Sequence, residues 1–274
     1  MKLVESYLTN NPCYKNNVNK VDSRYTNFQK NGPSGLMLHS VGCSQPSASV
    51  FVKNWNKSDY DKACVHGFID ANDGTIYQTL PWNFRGWHGG GSSNNTHVGV
   101  EMCEPSTIKY TGGSSFTVTD KAKAQACAVR TYEAAVELFA MLCVKYNLDP
   151  QNAIVSHSEG YKKGIATNHG DPEHLWSGLG LSYTMDTFRA AVAAKIEKDK
   201  NGEKTTTEEV DEVRYNKLDE MPTYAKSTIE KLIKLGYLAG SGTVKDSNGY
   251  PADLDLSIDM IRIFVINDRA GLYN

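Results

Sequence analysis

Short apolar runs, each closed by turn-forming residues, mark the first two thirds of the chain. Gly35-Leu36-Met37-Leu38-His39-Ser40 predicts one strand, and residues 66–70 and 75–80 predict a pair. Between that pair, Asn72-Asp73-Gly74 predicts a hairpin tip, because Asn and Gly tolerate positive φ. Residues 97–102 and 153–157 predict two more strands. Elsewhere the spacing changes to three and four. Over residues 119–148, Val129, Tyr132, Val136, Phe139, Cys143 and Tyr146 fall on one helical face, with Thr119-Asp120 as the cap. An earlier helix begins near Ser47, with Cys64 on it or just after it. A later one begins near Asp186 and carries Phe188, Val192 and Ile196 on one side. Strands mixed with helices predict an α/β fold, a mixed central β-sheet flanked by α-helices.

The pattern then breaks. Residues 195–213 hold almost nothing that builds a core and read as a charged, solvated linker with a helical start. Beyond it, residues 222–235 predict a helix stopped by Gly236. Residues 257–270 predict another, capped by Ser257, stopped by Gly271 and apolar at Ile258, Ile261, Phe264 and Val265. The expected organisation is a larger domain over 1–194, the linker over 195–213 and a small helical C-terminal domain over 214–274. So small a domain is near the size limit for folding alone, and a homo-oligomer formed through it is one way to stabilise it.

Composition narrows the classes. The 274 residues are 40% hydrophobic and 22% charged, with a net charge of -2, which is ordinary globular chemistry without the basic excess of a nucleic-acid binder. No apolar run approaches the roughly 20 residues of a membrane span, so no membrane insertion is expected. Met1-Lys2-Leu3-Val4-Glu5-Ser6-Tyr7 lacks the basic start and apolar core of a secretory signal. The expectation is synthesis in the cytoplasm without a signal peptide. Six cysteines (Cys13, Cys43, Cys64, Cys103, Cys127, Cys143) form no C-x-x-C pair, and reduced packing thiols are expected.

The candidate chemistry lies at strand ends. His39 ends the first strand, Glu101 the fourth and His157 the fifth. The loop Asn168-His169-Gly170-Asp171-Pro172-Glu173-His174 follows closely. If these ends converge on one crevice, His39, His157 and Asp171 supply three ligands to Zn2+, with water in the fourth position. Zinc lowers the pKa of such a water to about 7, and Glu101 is placed to take its proton. Each residue also has a plainer reading. A histidine in an apolar strand is commonly a satisfied core residue, Asp before Pro caps turns, and Glu101 can form a structural ion pair.

From about residue 30 to 180 the chain resembles the zinc-dependent N-acetylmuramoyl-L-alanine amidases, which share their fold with peptidoglycan recognition proteins and amidase-type phage lysozymes. Five ordered pieces carry the resemblance: Leu38-His39-Ser40, Val65-His66-Gly67-Phe68-Ile69 with Asp73-Gly74, Arg85-Gly86-Trp87-His88-Gly89-Gly90, His97-Val98-Gly99-Val100-Glu101, and His157 through Asp171-Pro172. It implies peptidoglycan as partner and cleavage of the amide between N-acetylmuramic acid and L-alanine of the stem peptide. A peptidoglycan-binding module without catalysis and a zinc peptidase cutting within the stem are the rival readings.

By the same resemblance His39 and His157 match the zinc histidines, Asp171 the third ligand and Glu101 a catalytic glutamate. Many relatives carry a lysine two residues before the third ligand, where it stabilises an oxyanion. His169 stands there in this chain, able to donate the same hydrogen bond or to protonate the leaving amine. His174 is its rival for either task and a candidate substrate contact. His88 and Trp87 suit saccharide or peptide contact, and His66 is either such a contact or a packing residue. Trp87 and Trp176 either stack on sugar or pack the core, whereas Cys43 and Cys103 read as packing. The lack of a signal fits a phage or prophage endolysin that reaches the wall through a membrane lesion made by another protein; a bacterial autolysin exported by another route is the alternative. The small C-terminal domain reads as a wall-binding or dimerisation module.

Overall fold

The computed structural model describes residues 1–207 and 214–273, the side chains of 202–207 excepted. It divides into two compact units, Met1–Lys200 and Asn201–Asn274. In chain order the first unit begins β1 (Leu3–Glu5), α1 (Pro12–Asn19), α2 (Ser23–Asn31), β2 (Gly35–Ser40), α3 (Ala48–Trp55), β3 (Gly67–Ile69), β4 (Ile76–Gln78) and β5 (His97–Met102). It continues with β6 (Ile108–Gly112), β7 (Ser115–Val118), α4 (Lys121–Tyr146), α5 (Pro150–Ala153), β8 (Ile154–Ser156), α6 (His157–Lys162), α7 (Glu173–Gly178) and α8 (Met185–Thr207), whose residues after Lys200 are counted with the second unit.

Six strands form one sheet in the order β1-β4-β3-β5-β2-β8. Only the β3–β4 hairpin is antiparallel, and Gly74 at its tip has φ 76°. The other pairings are parallel, so the sheet is mixed as expected. Strand β2 lies between β5 and β8 and every residue of it is buried. Because side chains alternate along a strand, its two faces have different fates. Leu36 and Leu38, with Val98, Val100 and Met102 of β5, pack in one cluster with Tyr132, Leu138, Phe139, Trp176, Phe188 and Val192 from α4, α7 and α8. Each such side chain contributes about 2 kcal/mol by leaving water. The alternate positions Met37, His39, Gly99 and Glu101 are turned to the other face.

Helix α4 is capped by Asp120, whose side chain accepts from the Lys123 amide, and it ends at Asn147 in the left-handed region with φ 53°. Its buried face is rotated from the one that the large residues suggest. Ala124, Cys127, Ala128, Thr131, Ala135 and Leu138 join Tyr132, Phe139 and Cys143 inside, whereas Val129, Val136 and Tyr146 are only half-buried. Small side chains let the helix approach the sheet closely, and a hydropathy pattern gives them little weight. Strand β1 and the β6–β7 hairpin were not foreseen, being short or largely polar.

The supposed linker starts as helix. α8 runs on through Thr207, helped on its exposed side by Lys195–Asp199 and Glu197–Lys200 pairs at 2.6 and 3.1 Å. The remainder of that stretch, 208–213, lies outside the described residues. The second unit holds β9 (Arg214–Tyr215), α9 (Lys226–Lys234), β10 (Leu256–Ser257) and α10 (Ile258–Arg269). The two short strands pair antiparallel. Met221, Ala225, Ile229, Leu232, Leu254, Leu256, Ile261 and Val265 form its core. The helix expected from 222 starts later, because Pro222 to Ala225 form a turn closed by the Ala225 amide on the Pro222 carbonyl.

Candidate active site

Three segments bring the proposed ligands together. β2 delivers His39, which pairs in register with Glu101 of β5. β8 ends at Ser156, and its side chain accepts from the Glu159 amide while Glu159 accepts from the Ser156 amide, so α6 starts at His157. Arg189 of α8 grips both Glu159 oxygens at 2.9 and 3.0 Å and donates to the Ile154 carbonyl, which fixes that junction from beneath. Asp171 arrives on the following loop. The Ser156 hydroxyl donates to Glu173 at 2.7 Å, tying the segments that carry His157 and Asp171 to each other.

His39, His157 and Asp171 are 1%, 4% and 7% exposed. Their ligand atoms all lie within 4.8 Å of one another, the one such group among the described residues. His39 Nδ1 stands 3.0 Å from His157 Nδ1 and 3.2 Å from Asp171 Oδ2, and His157 Nδ1 is 3.6 Å from Asp171 Oδ1. A tetrahedral zinc with bonds of about 2.0–2.1 Å has ligand atoms about 3.3 Å apart, so the edges fit. Lone pairs that converge in this way repel unless a cation or a proton sits among them. Burial opposes charge on His39, yet the hydrogen bond with Asp171 and the charges of Glu101 and Asp171 hold it above its ordinary value. His157 is lowered to about 4 by burial and by His39. Burial works against the Asp171 carboxylate, but His39 and His157 outweigh it and keep its pKa low.

The group opens on a cleft of about 790 Å3 whose lining includes Trp87, His88, Glu101, His169 and His174. Glu101 Oε2 is buried without a partner. Burial pushes this carboxyl up to about 8, with the Asp171 and Glu104 charges adding to the effect against His39. His169 is largely exposed and stacks on His157 with ring centroids 4.4 Å apart, its Nδ1 3.9 Å from Asp171 Oδ1.

His174 joins a network that sequence reasoning missed. The Tyr110 hydroxyl lies 2.7 Å from both Glu104 Oε2 and His174 Nε2, and the Gly42 amide donates to Glu104 Oε1 at 3.0 Å. Glu104 is fully buried, and burial pushes it up to about 7 against the hydrogen bond from Tyr110. Neither residue carries a sequence signal, since Tyr110 sits on a mostly polar strand and Glu104 follows β5 in a loop.

Other candidates take different places. His66 is buried and away from the cleft, with Nε2 on the Phe84 carbonyl and Nδ1 accepting from the Gly99 amide. That is the packing role, not a substrate contact. Trp176 lies in the core at 0% exposure, and Cys43 is exposed where packing was expected. All six cysteines are free. Trp87 borders the cleft and donates through Nε1 to the Tyr25 hydroxyl. His88 also reaches the cleft, but both its ring nitrogens are engaged inside the protein. Burial and the neighbouring His39 and His66 hold its pKa well below the usual histidine range, so it is neutral.

Residues 29–174, more than half of the chain, match the family Amidase_2, N-acetylmuramoyl-L-alanine amidase. The chain belongs to the N-acetylmuramoyl-L-alanine amidase family. The matched span includes His39, Glu101, His157, His169, Asp171 and His174, and it leaves out the second unit. Among solved structures, the chain is similar to the catalytic domain of XlyA at 22% identity, over 70% of this chain and 99% of that one, with a TM-score of 0.45. It is similar to the Staphylococcus aureus hydrolase AmiA in complex with its ligand at 20% identity, over 62% and 75% of the two chains, with a TM-score of 0.48. A third is the N-acetylmuramoyl-L-alanine amidase LysC from Clostridium intestinale URNW, at 19% identity over 57% and 89%, with a TM-score of 0.31. No curated protein matches the chain in sequence. Among the described residues, no helix is long and apolar enough to cross a membrane.

Proposed function

We propose that this chain is a zinc-dependent peptidoglycan hydrolase that cleaves the amide between the lactyl group of N-acetylmuramic acid and L-alanine of the stem peptide. The observation that carries the reading is the convergence of His39 Nδ1, His157 Nδ1 and the Asp171 carboxylate beside the partnerless Glu101 oxygen. Those three residues would hold the ion. When bound there, zinc supplies a water acidified to a pKa of about 7 and a Lewis acid for the scissile carbonyl. Glu101 takes the proton of the attacking water. Its burial makes it a stronger base than an ordinary carboxylate once ionised. The proton then goes to the amine of the departing L-alanine. His169, open to the cleft and stacked on His157, is the donor to the developing oxyanion or to that amine. Trp87 and His174 border the space where glycan and stem peptide lie.

The second unit contains no histidine or cysteine, so in this reading it serves attachment, either to the wall or to a second copy. The enzyme acts on the wall in the manner of a phage endolysin, made in the cytoplasm and released through a lesion.

The test is turbidity loss of purified cell walls with zinc and with chelator, followed by mass analysis of the digest. Loss that chelator abolishes, with free muramoyl groups and peptides beginning in L-alanine, is expected. Cuts between amino acids would replace the amidase reading with a peptidase, and intact walls at full zinc loading would leave only a binding module. Glu101→Gln is expected to keep zinc and lose at least a hundredfold in turnover. Near-normal turnover in that variant removes Glu101 from the mechanism.

A further inference from the structure

Two hydrogen-bond relays run from the candidate zinc ligands to the same loop. His39 Nε2 lies 3.0 Å from His88 Nδ1, and His88 Nε2 lies 3.0 Å from the His97 carbonyl. His157 Nε2 lies 3.3 Å from the Thr167 hydroxyl, which donates to the Gly89 carbonyl at 3.3 Å. Each relay ends on a carbonyl, which only accepts. That sets the protons of the His88 relay and favours one arrangement in the longer Thr167 relay. His88 must carry its proton on Nε2 to satisfy His97, so its Nδ1 is an acceptor and His39 donates from Nε2. With the Thr167 hydroxyl turned to the Gly89 carbonyl, which the Thr167 amide also reaches at 2.8 Å, its oxygen accepts and His157 donates from Nε2. When a cation takes the place of the proton that His39 shares with Asp171, the Nδ1 lone pair is what remains in both histidines, and in both it is Nδ1 that faces the ligand group.

We infer that His88 and Thr167 are positioning residues that lock His39 and His157 as Nε2–H tautomers and thereby aim both Nδ1 lone pairs at one cation. This rests on the zinc reading of the site. The backbone is shaped for the relays. The Asn94 side chain accepts from the His88 and Gly89 amides, both at 2.8 Å, and holds the start of the loop. The His88 ring lies flat on β5 at Gly99, where a Cβ would stand 2.3 Å from His88 Cγ. At Gly90, φ is 68° and a Cβ would meet Thr167 Cγ2 at 2.6 Å. A larger residue at either position would push a relay member away.

The test uses the full chain, ¹⁵N-labelled at histidine and loaded with zinc. Zinc affinity is measured by chelator competition, and tautomers are read from long-range ¹H–¹⁵N spectra. Wild type is expected to show both histidines protonated at Nε2 and bound through Nδ1. His88→Leu and Thr167→Val are each expected to lose about 10- to 100-fold in zinc affinity. His88→Gln, whose amide accepts at one atom and donates at the other, and Thr167→Ser are expected to stay within a few-fold of wild type. Gly99→Ala alters no relay atom and is expected to weaken zinc by displacing the His88 ring. Leucine and valine variants that bind zinc as wild type does, or a glutamine variant as weak as the leucine one, would overturn the inference. So would Nε2-bound histidines in wild type. A wild-type chain that binds zinc through Nδ1 with both relays working, yet releases no peptide from walls, supports the inference and sinks the amidase reading instead.

Discussion

Replacing Glu104 by glutamine tests the electrostatics of the cleft wall without touching a ligand. Glu104 is fully buried and its carboxyl is pushed from 4.5 to about 7, chiefly by burial. A folded pKa above the unfolded one means that the native state holds its proton more tightly. The stability that this provides is complete below pH 4.5 and disappears as pH rises through about 7. Each pH unit crossed in that window removes about 1.4 kcal/mol, so wild type loses about 2–3 kcal/mol between pH 5 and 8.5. Glutamine mimics the protonated acid. Its oxygen accepts from Gly42, and its amide donates to Tyr110, which then turns its own proton to His174. It does not titrate. Glu104→Gln should therefore be close to wild type at pH 5 and about 2–3 kcal/mol more stable at pH 8.5, or about 4–12 °C higher in Tm for a unit of this size. All four tryptophans (Trp55, Trp82, Trp87, Trp176) lie in the first unit, so urea unfolding followed by tryptophan fluorescence reports that unit alone. Chelator in every sample keeps metal linkage out of the comparison. A stability difference that stays constant from pH 5 to 8.5, or one that favours wild type as pH rises, would refute the reasoning.

Two further outcomes are expected. Asp171→Ala should bind no zinc after dialysis, because two neutral histidines remain where a third, anionic ligand stood; full zinc content by elemental analysis would move the third ligand to another residue. Arg189→Leu should cost about 2–3 kcal/mol in urea unfolding, since it leaves the partly buried Glu159 carboxylate with the Ser156 amide but without its cation and takes a donor from the Ile154 carbonyl; a change below about 0.5 kcal/mol would show that the junction before His157 does not depend on this grip.

Much of the candidate site was legible because His39 and Glu101 lie near strand ends and His157 directly follows one. The alternation in Leu36-Met37-Leu38-His39 and Val98-Gly99-Val100-Glu101 separates an apolar face from a chemical one, and adjacent register then sets His39 beside Glu101. Helix α4 was legible in extent but not in orientation. Its buried face mixes alanines at Ala124, Ala128, Ala135 and Ala140 with larger side chains, and closeness of approach as well as hydropathy selects that face. His88 shows the limit most clearly. A histidine between tryptophan and glycines suits a ligand contact, and only the three-dimensional arrangement shows His39 and the His97 carbonyl occupying its two nitrogens.

The sequence by itself determined the class of fold, the strand ends that carry His39 and Glu101, and the donor types of the candidate metal group, because period-two patterning and residue chemistry are local properties; His157, expected to end a strand, instead opens α6 just after β8. The tertiary structure decided which nitrogen of each histidine faces the others, that Thr167 and His88 hold them, and that Glu104, Tyr110 and His174 form one network. Those choices depend on hydrogen bonds between residues far apart in the chain, such as Thr167 with Gly89 and His39 with His88. A hydrogen bond has direction and needs a specific partner within about 3 Å. No pattern of neighbouring residues encodes a partner that only folding brings into reach.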